Sequence, residues 1–143
     1  MFAKSYVRTY RTNAVLTASP GQLVLLLYDG ALKALMLARE GFERPADDYR
    51  RIEAIHQQLL KAQAIIHELE SGLNFEAGGE MARTFQRLYD YHKRRLMEAN
   101  LRKEVGPVIE VEGLLRELRD AWAEMLMKQE GESAATESLR GVA

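Results

Sequence analysis

Three histidines stand where an imidazole could do chemistry. Glu53-Ala54-Ile55-His56 is a Glu-x-x-His pair, the unit that di-iron bundles repeat on two helices, adding two more inward carboxylates. The chain has no second Glu-x-x-His, and its other apolar positions around His56 are aliphatic. A metal site and a metal cofactor are therefore not expected. The sequence contains no cysteine, which removes thiolate ligands and a disulfide framework and fits a reducing cytosol.

His67-Glu68-Leu69-Glu70 loosely resembles the phosphoacceptor helix of histidine phosphotransfer bundles. Those carry a lysine where Glu70 stands, and a carboxylate there would repel an incoming phosphoryl group. The ordinary reading of His56, His67 and His92 is as helix-border residues with solvent access. His92-Lys93-Arg94-Arg95 is a short basic run, but Asp90, Glu98 and Glu104 are interspersed around it, as on a solvated helix face rather than a nucleic-acid patch. Neither a nucleophile–base pair nor a glycine-rich phosphate loop is present. No catalytic residues are assigned, and the chain is not expected to be an enzyme.

The informative signal lies in the elements. Leu16 to Leu37 opens with a helix start: Ser19 caps, Pro20 occupies the first helical position, and Gln22 completes a capping box. Leu23, Val24, Leu25, Leu26, Leu27 and Tyr28 then follow without interruption. A surface helix needs one apolar stripe, whereas this run puts apolar side chains all round. Such a helix is central to a bundle, or one of its faces awaits a partner. Asp29, Lys33 and Arg39 interrupt it, and the run is too short for membrane insertion. Gly30, mid-helix, either admits a close neighbour or is tolerated at a cost of about 1 kcal/mol.

The first helix is predicted from Pro20 to Glu40, ending at Gly41 and Pro45. A second runs from Asp48 to Leu73, capped by Asp47 or Asp48, with the seam Ile52, Ile55, Leu59, Ala62, Ile66, Leu69, Leu73. Leu60 and Ile65 lie off that seam and widen its apolar face. Asn74 to Gly79 reads as a turn. A third helix, Glu80 to Lys103, carries the rows Met81, Phe85, Leu88 and Phe85, Tyr89, His92, Leu96, Ala99. Gly106-Pro107 starts a fourth, with the seam Val108, Val111, Leu115, Leu118, Trp122, Met125 and a second mid-helix glycine, Gly113. Trp122 and Met125 are read as core. The pattern stops after Lys128. Strand alternation is missing, and four helices joined by short links favour an all-α, antiparallel four-helix bundle. The domain organisation is an N-terminal arm or cap (1–18), the bundle (19–130) and a disordered tail (131–143).

The arm places Phe2, Tyr6 and Tyr10 at i, i+4, i+8, on one helical face. Too short to hold a helix alone, it either docks permanently on the core or acts as a detachable lid over an apolar groove. With 143 residues, 47% apolar and 29% charged, the chain is long enough for one globular domain. A formal net charge of −1 gives no electrostatic footprint for nucleic acid or anionic lipid, and the first fifteen residues lack the apolar core of a signal peptide. Surplus apolar surface on a soluble bundle points to recognition of a partner helix.

Several runs together resemble the flagellin-specific secretion chaperones, the FliS family: Tyr6-x-x-x-Tyr10, Thr17-Ala-Ser-Pro-Gly-Gln-Leu23, Leu27-Tyr-Asp-Gly-Ala31, Lys61-Ala-Gln-Ala-Ile-Ile-His-Glu-Leu69, Gly78-Gly-Glu-Met-Ala82, Leu88-Tyr-Asp-Tyr91, Arg95-Leu-Met-Glu-Ala-Asn100 and Arg119-Asp-Ala-Trp122. They follow the family's order over roughly residues 5–128, with Gly106-Pro107-Val108 and Gly113 less typical. The resemblance implies an antiparallel four-helix bundle with a short N-terminal helical cap. It implies a non-catalytic chaperone of the bacterial cytosol that holds flagellin's C-terminal segment as helices in hydrophobic grooves. It thereby prevents premature polymerisation and delivers flagellin to the export gate of the flagellar type III apparatus. The cap occupies part of that surface when cargo is absent.

On this reading the partner-binding residues are Tyr6 and Tyr10 as arm anchors, Leu23, Leu26, Leu27 and Tyr28 on the first helix, Ile65, Leu69 and Leu73 on the second, and Leu88 and Tyr91 on the third. For the aliphatic members, core burial is an equal alternative. A client that folds on binding loses about 2–5 kcal/mol to ordering, so more than about 2,000 Å² of contact is expected. An uncovered groove would also let two cargo-free copies pair as a homodimer.

Overall fold

The computed structural model describes residues 19–142. Phe2, Tyr6, Tyr10 and the rest of the arm lie outside the described residues. Four helices follow one another: α1 (Pro20–Glu43), α2 (Arg51–Ser71), α3 (Phe75–Arg102) and α4 (Gly106–Val142). Consecutive helices pack side by side, α4 closes back on α1, and the diagonal pairs α1–α3 and α2–α4 have no close backbone approach. The all-α four-helix bundle expected from the apolar seams is the observed fold.

Local chemistry accounts for the helix ends. Ser19 accepts a hydrogen bond from the Gln22 N–H, and the Gln22 side chain accepts one from the Ser19 N–H, which completes the capping box. At α2 the expected cap is displaced. Asp48 turns the chain by accepting from the Arg50 N–H at 2.9 Å, and the helix starts only at Arg51. Ile52, read as the first seam residue, is consequently 60% exposed. Asn74 caps α3 by accepting from the Glu76 and Ala77 N–H groups. One helical turn forms there, within the stretch read as a turn, and the chain then breaks at Gly79 (φ 52°, ψ −125°). That positive φ is one glycine adopts without steric cost. The long run of α3 therefore begins after Gly79, as the pattern from Glu80 implied.

The core is a continuous cluster of Leu32, Leu35, Ile55, Leu59, Ile65, Ile66, Leu96, Val108, Val111 and Leu115 with the alanines between them. Two expectations shift. On α4, Leu126 is buried in place of Met125. From Val108 to Leu126 is about five turns at 3.6 residues per turn, so Leu126 returns to the inner face while Met125 trails it. The helix also continues to Val142, whereas the sequence pattern led to a disordered tail from residue 131. Residues 131–136 and Leu139 are exposed, so this extension is helix without a buried face. α1 alone among the described helices has the length and apolar content of a membrane span, and much of that apolar surface is buried against α2 and α4.

Candidate partner-binding groove

At one end of the bundle the four helices leave a cleft of about 430 Å³. α1 enters there at Pro20, α2 ends there, α3 places two aromatic rings and α4 one. Leu23, Val24 and Leu27 from α1, Leu69 and Leu73 from the end of α2, Phe85 from α3 and Trp122 from α4 form its walls. Tyr28 and Tyr89, 2% and 3% exposed, form its floor. Glu68 is the charged residue of the lining.

Specific contacts hold the cleft in shape. The Trp122 indole N–H donates to the Gly21 carbonyl at 2.8 Å, tying α4 to the first turn of α1. Beside it, a Cβ at Gly21 would stand 2.5 Å from Leu126 Cδ2 and would push that leucine tip aside. Farther along, Arg119 Nε donates to Asp29 Oδ1 at 2.8 Å, a half-exposed pair whose value is orientation more than stability. Phe85 packs on Tyr89 with ring centroids 6.0 Å apart. The Tyr28 and Tyr89 hydroxyls meet at 2.5 Å across the α1–α3 diagonal. Burial raises the pKa of both phenols, and the neighbouring Tyr28 raises that of Tyr89 further. Both remain protonated at neutral pH. The described lining is mostly apolar and aromatic, with Glu68, Ser71 and the two phenols as its polar side chains.

The predicted contact residues divide. Leu23, Leu27, Tyr28, Leu69 and Leu73 come together in this cleft. Leu26 is half-buried nearby on α1 but outside the lining. Ile65, 1% exposed, belongs to the core, so it meets no partner without a rearrangement. Leu88 lies on the exposed side of α3, and Tyr91 faces α4, where its hydroxyl donates to Glu110 at 2.7 Å. Tyr6 and Tyr10 are outside the described residues. Pro20, Val24, Phe85 and Trp122 were not among the predicted residues. Phe85 and Trp122 were legible as seam aromatics, with nothing in the sequence to separate cleft from core.

The histidines resolve differently from one another. His56 is exposed and its Nδ1 stands 2.9 Å from Asn100 Nδ2. His67 is exposed with Nδ1 3.7 Å from the Glu70 carboxylate, which sets a negative charge beside the would-be phosphoacceptor. His92, expected at a solvent-accessible border, is instead 1% exposed, and its Nδ1 has no hydrogen-bond partner among the described residues. Burial lowers its pKa to about 4. The basic run that follows is largely neutralised locally. Lys93 contacts Glu70 and Asp90, and Arg95 contacts Glu110 and Glu98. Arg94 sits over the Tyr91 ring. Among the described residues no three His, Cys, Asp or Glu side chains gather as a metal site would require.

The family model described as flagellar protein FliS matches residues 2–130. The chain is 40% identical over 120 residues to the flagellar secretion chaperone FliS of Bacillus subtilis, covering 84% of this chain and 85% of that protein. It is 40% identical over 125 residues to the flagellar secretion chaperone FliS of Salmonella typhimurium, covering 87% and 90%. Against the flagellar secretion chaperone FliSB of Pseudomonas aeruginosa the figure is 35% over 119 residues, covering 83% and 90%. With a family match across nearly its whole length and relatives named as chaperones rather than enzymes, the chain belongs to the FliS family of flagellar secretion chaperones.

Proposed function

We propose that this protein is a chaperone of the bacterial cytosol that binds the C-terminal segment of flagellin in the apolar cleft at the end of the bundle. It keeps flagellin from polymerising early and presents it to the export gate of the flagellar type III apparatus. The observation that carries this reading is the cleft itself. Leu23, Val24, Leu27, Leu69, Leu73, Phe85 and Trp122 turn apolar surface toward a shared space instead of filling it. A client helix with apolar residues at i, i+3, i+4 and i+7 matches such a wall. The cleft alone is far smaller than the contact a client that folds on binding needs. The client therefore continues from it along the bundle surface.

The N-terminal arm enters this scheme by chain continuity. Pro20, the first residue of α1, lines the cleft. Tyr6 and Tyr10 are proposed to occupy part of the client surface until flagellin displaces them, a competition that lowers net affinity and favours later release. Removal of residues 1–15 is expected to raise binding of a hydrophobic dye, and unchanged dye binding would contradict the lid.

The function is tested by size-exclusion chromatography with purified flagellin. A 1:1 complex is expected with full-length flagellin and none with flagellin lacking its C-terminal segment. A complex that survives the deletion would refute the proposed mode of binding.

A further inference from the structure

The floor of the cleft carries two buried hydroxyls that contact each other. Tyr28 and Tyr89 are both more than nine-tenths buried, both line the cleft, and their hydroxyl oxygens lie 2.5 Å apart. Two neutral phenols carry two O–H protons. Their mutual contact uses one, as either oxygen can donate to the other. The second O–H still requires an acceptor. Among the described residues neither hydroxyl has another hydrogen-bond partner. Both tyrosines line the cleft, so an occupant of that space is in a position to supply the acceptor, and a donor closed in without one is costly.

We propose that the remaining phenol O–H is a recognition donor. The segment that occupies the cleft presents one neutral side-chain oxygen, an amide or a hydroxyl, on its otherwise apolar face, and that oxygen accepts from the tyrosine pair. This inference rests on the reading that the occupant is flagellin's C-terminal segment. The class of acceptor follows from the surroundings. Main-chain carbonyls in the interior of a bound helix are already used by the helix. A carboxylate would have to give up hydration in a mainly apolar cleft whose described lining holds no Lys or Arg to pair with it. The gain is register. Leucine-lined walls accept an apolar stripe shifted by a turn almost as well, whereas a single polar contact in a mainly apolar cleft penalises every shifted position.

The test is isothermal titration of the full-length chain with a synthetic peptide of flagellin's C-terminal segment. Each Asn, Gln, Ser and Thr of the peptide is replaced in turn by an apolar residue of similar size. The same peptides are then titrated into the Tyr28→Phe/Tyr89→Phe double variant. One peptide position is expected to weaken binding to the native chain by about fivefold to tenfold, the worth of one net hydrogen bond. That position should have no effect on the double variant, which should bind the parent peptide weaker by a similar factor. If no position is sensitive, or if the sensitive one is equally sensitive on the double variant, the inference is overturned while the reading of the cleft survives. If the parent peptide does not bind the native chain at all, both fall. Should the double variant not fold, the scan on the native chain still decides: absence of a sensitive position overturns the proposal.

Discussion

The two halves of the bundle are built from the same residue types and come out differently. In the half away from the cleft, Leu35, Ile55, Leu59, Leu96, Val108 and Val111 are wholly buried. Around them polar side chains link neighbouring helices: Arg39 with Glu112, Tyr91 and Arg95 with Glu110, His56 with Asn100. In the cleft half, leucines, a valine and two large aromatics stand around a gap. Among the described residues the phenol pair alone crosses the middle, and the indole is held at the edge. One half uses apolar side chains to hold the fold together. The other half uses them as a surface, and its polar contacts set the shape of the opening.

Mutations should separate the halves. Leu96→Ala removes a fully buried side chain from the packed half. It should cost about 2–5 kcal/mol by urea unfolding, with the folded fraction retaining its affinity for a flagellin C-terminal peptide. Leu23→Ala, at a half-buried wall position of the cleft, should cost no more than about 1–2 kcal/mol. The same variant should weaken peptide binding clearly. Equal stability losses with no binding difference would erase the distinction between halves.

The packed half also predicts a pH response. His92 is buried neutral with its pKa lowered to about 4, while in the unfolded chain it titrates near the ordinary value of about 6.5. Below that value the unfolded state takes up a proton that the folded state refuses. Stability should therefore fall as pH drops through the window from about 6.5 to about 4, by up to about 1.4 kcal/mol per unit. His92→Leu should flatten that slope in a series of urea midpoints. Glu110, whose carboxyl is held below its usual range by hydrogen bonds from Tyr91 and Arg95, adds a loss at more acid pH, as it protonates.

The smallest effect concerns the backbone. Gly113 is exposed within α4, and a Cβ there would meet nothing within 4 Å. Gly113→Ala should raise stability by about 0.8–1 kcal/mol, read as a higher melting temperature, and leave peptide affinity unchanged. A loss of affinity would show that the middle of α4 takes part in binding.

The seams made the fold legible. Ile55, Leu59, Ala62, Ile66 and Leu69 on α2, and Val108, Val111 and Leu115 on α4, are buried as their spacing required. The glycine pair before Glu80 also marked where the long run of α3 starts. The cleft was legible only in outline. The unbroken run from Leu23 to Tyr28 showed an excess of apolar surface on α1, and five of the predicted residues do line the opening. Ile65 and Tyr91 show what a single chain does not specify. A residue's distance along the bundle axis and its rotation about its helix are set jointly by four packed helices, and a difference of one position turns a side chain by about 100°. The same uncertainty hid Trp122 and Phe85 among seam residues and placed His92 at a border it does not occupy. The Tyr28–Tyr89 contact joins diagonal helices, a pairing that no local pattern encodes.

The cleft between Leu23, Leu73, Phe85 and Trp122 is proposed to receive the client. Trp122 is the chain's single tryptophan and part of the cleft wall, so its fluorescence reports occupancy directly. Titration with a tryptophan-free peptide of flagellin's C-terminal segment should shift Trp122 emission saturably at a 1:1 ratio, and Leu23→Glu should abolish the shift. Tight binding with unaltered Trp122 emission, undisturbed by Leu23→Glu, would contradict the account.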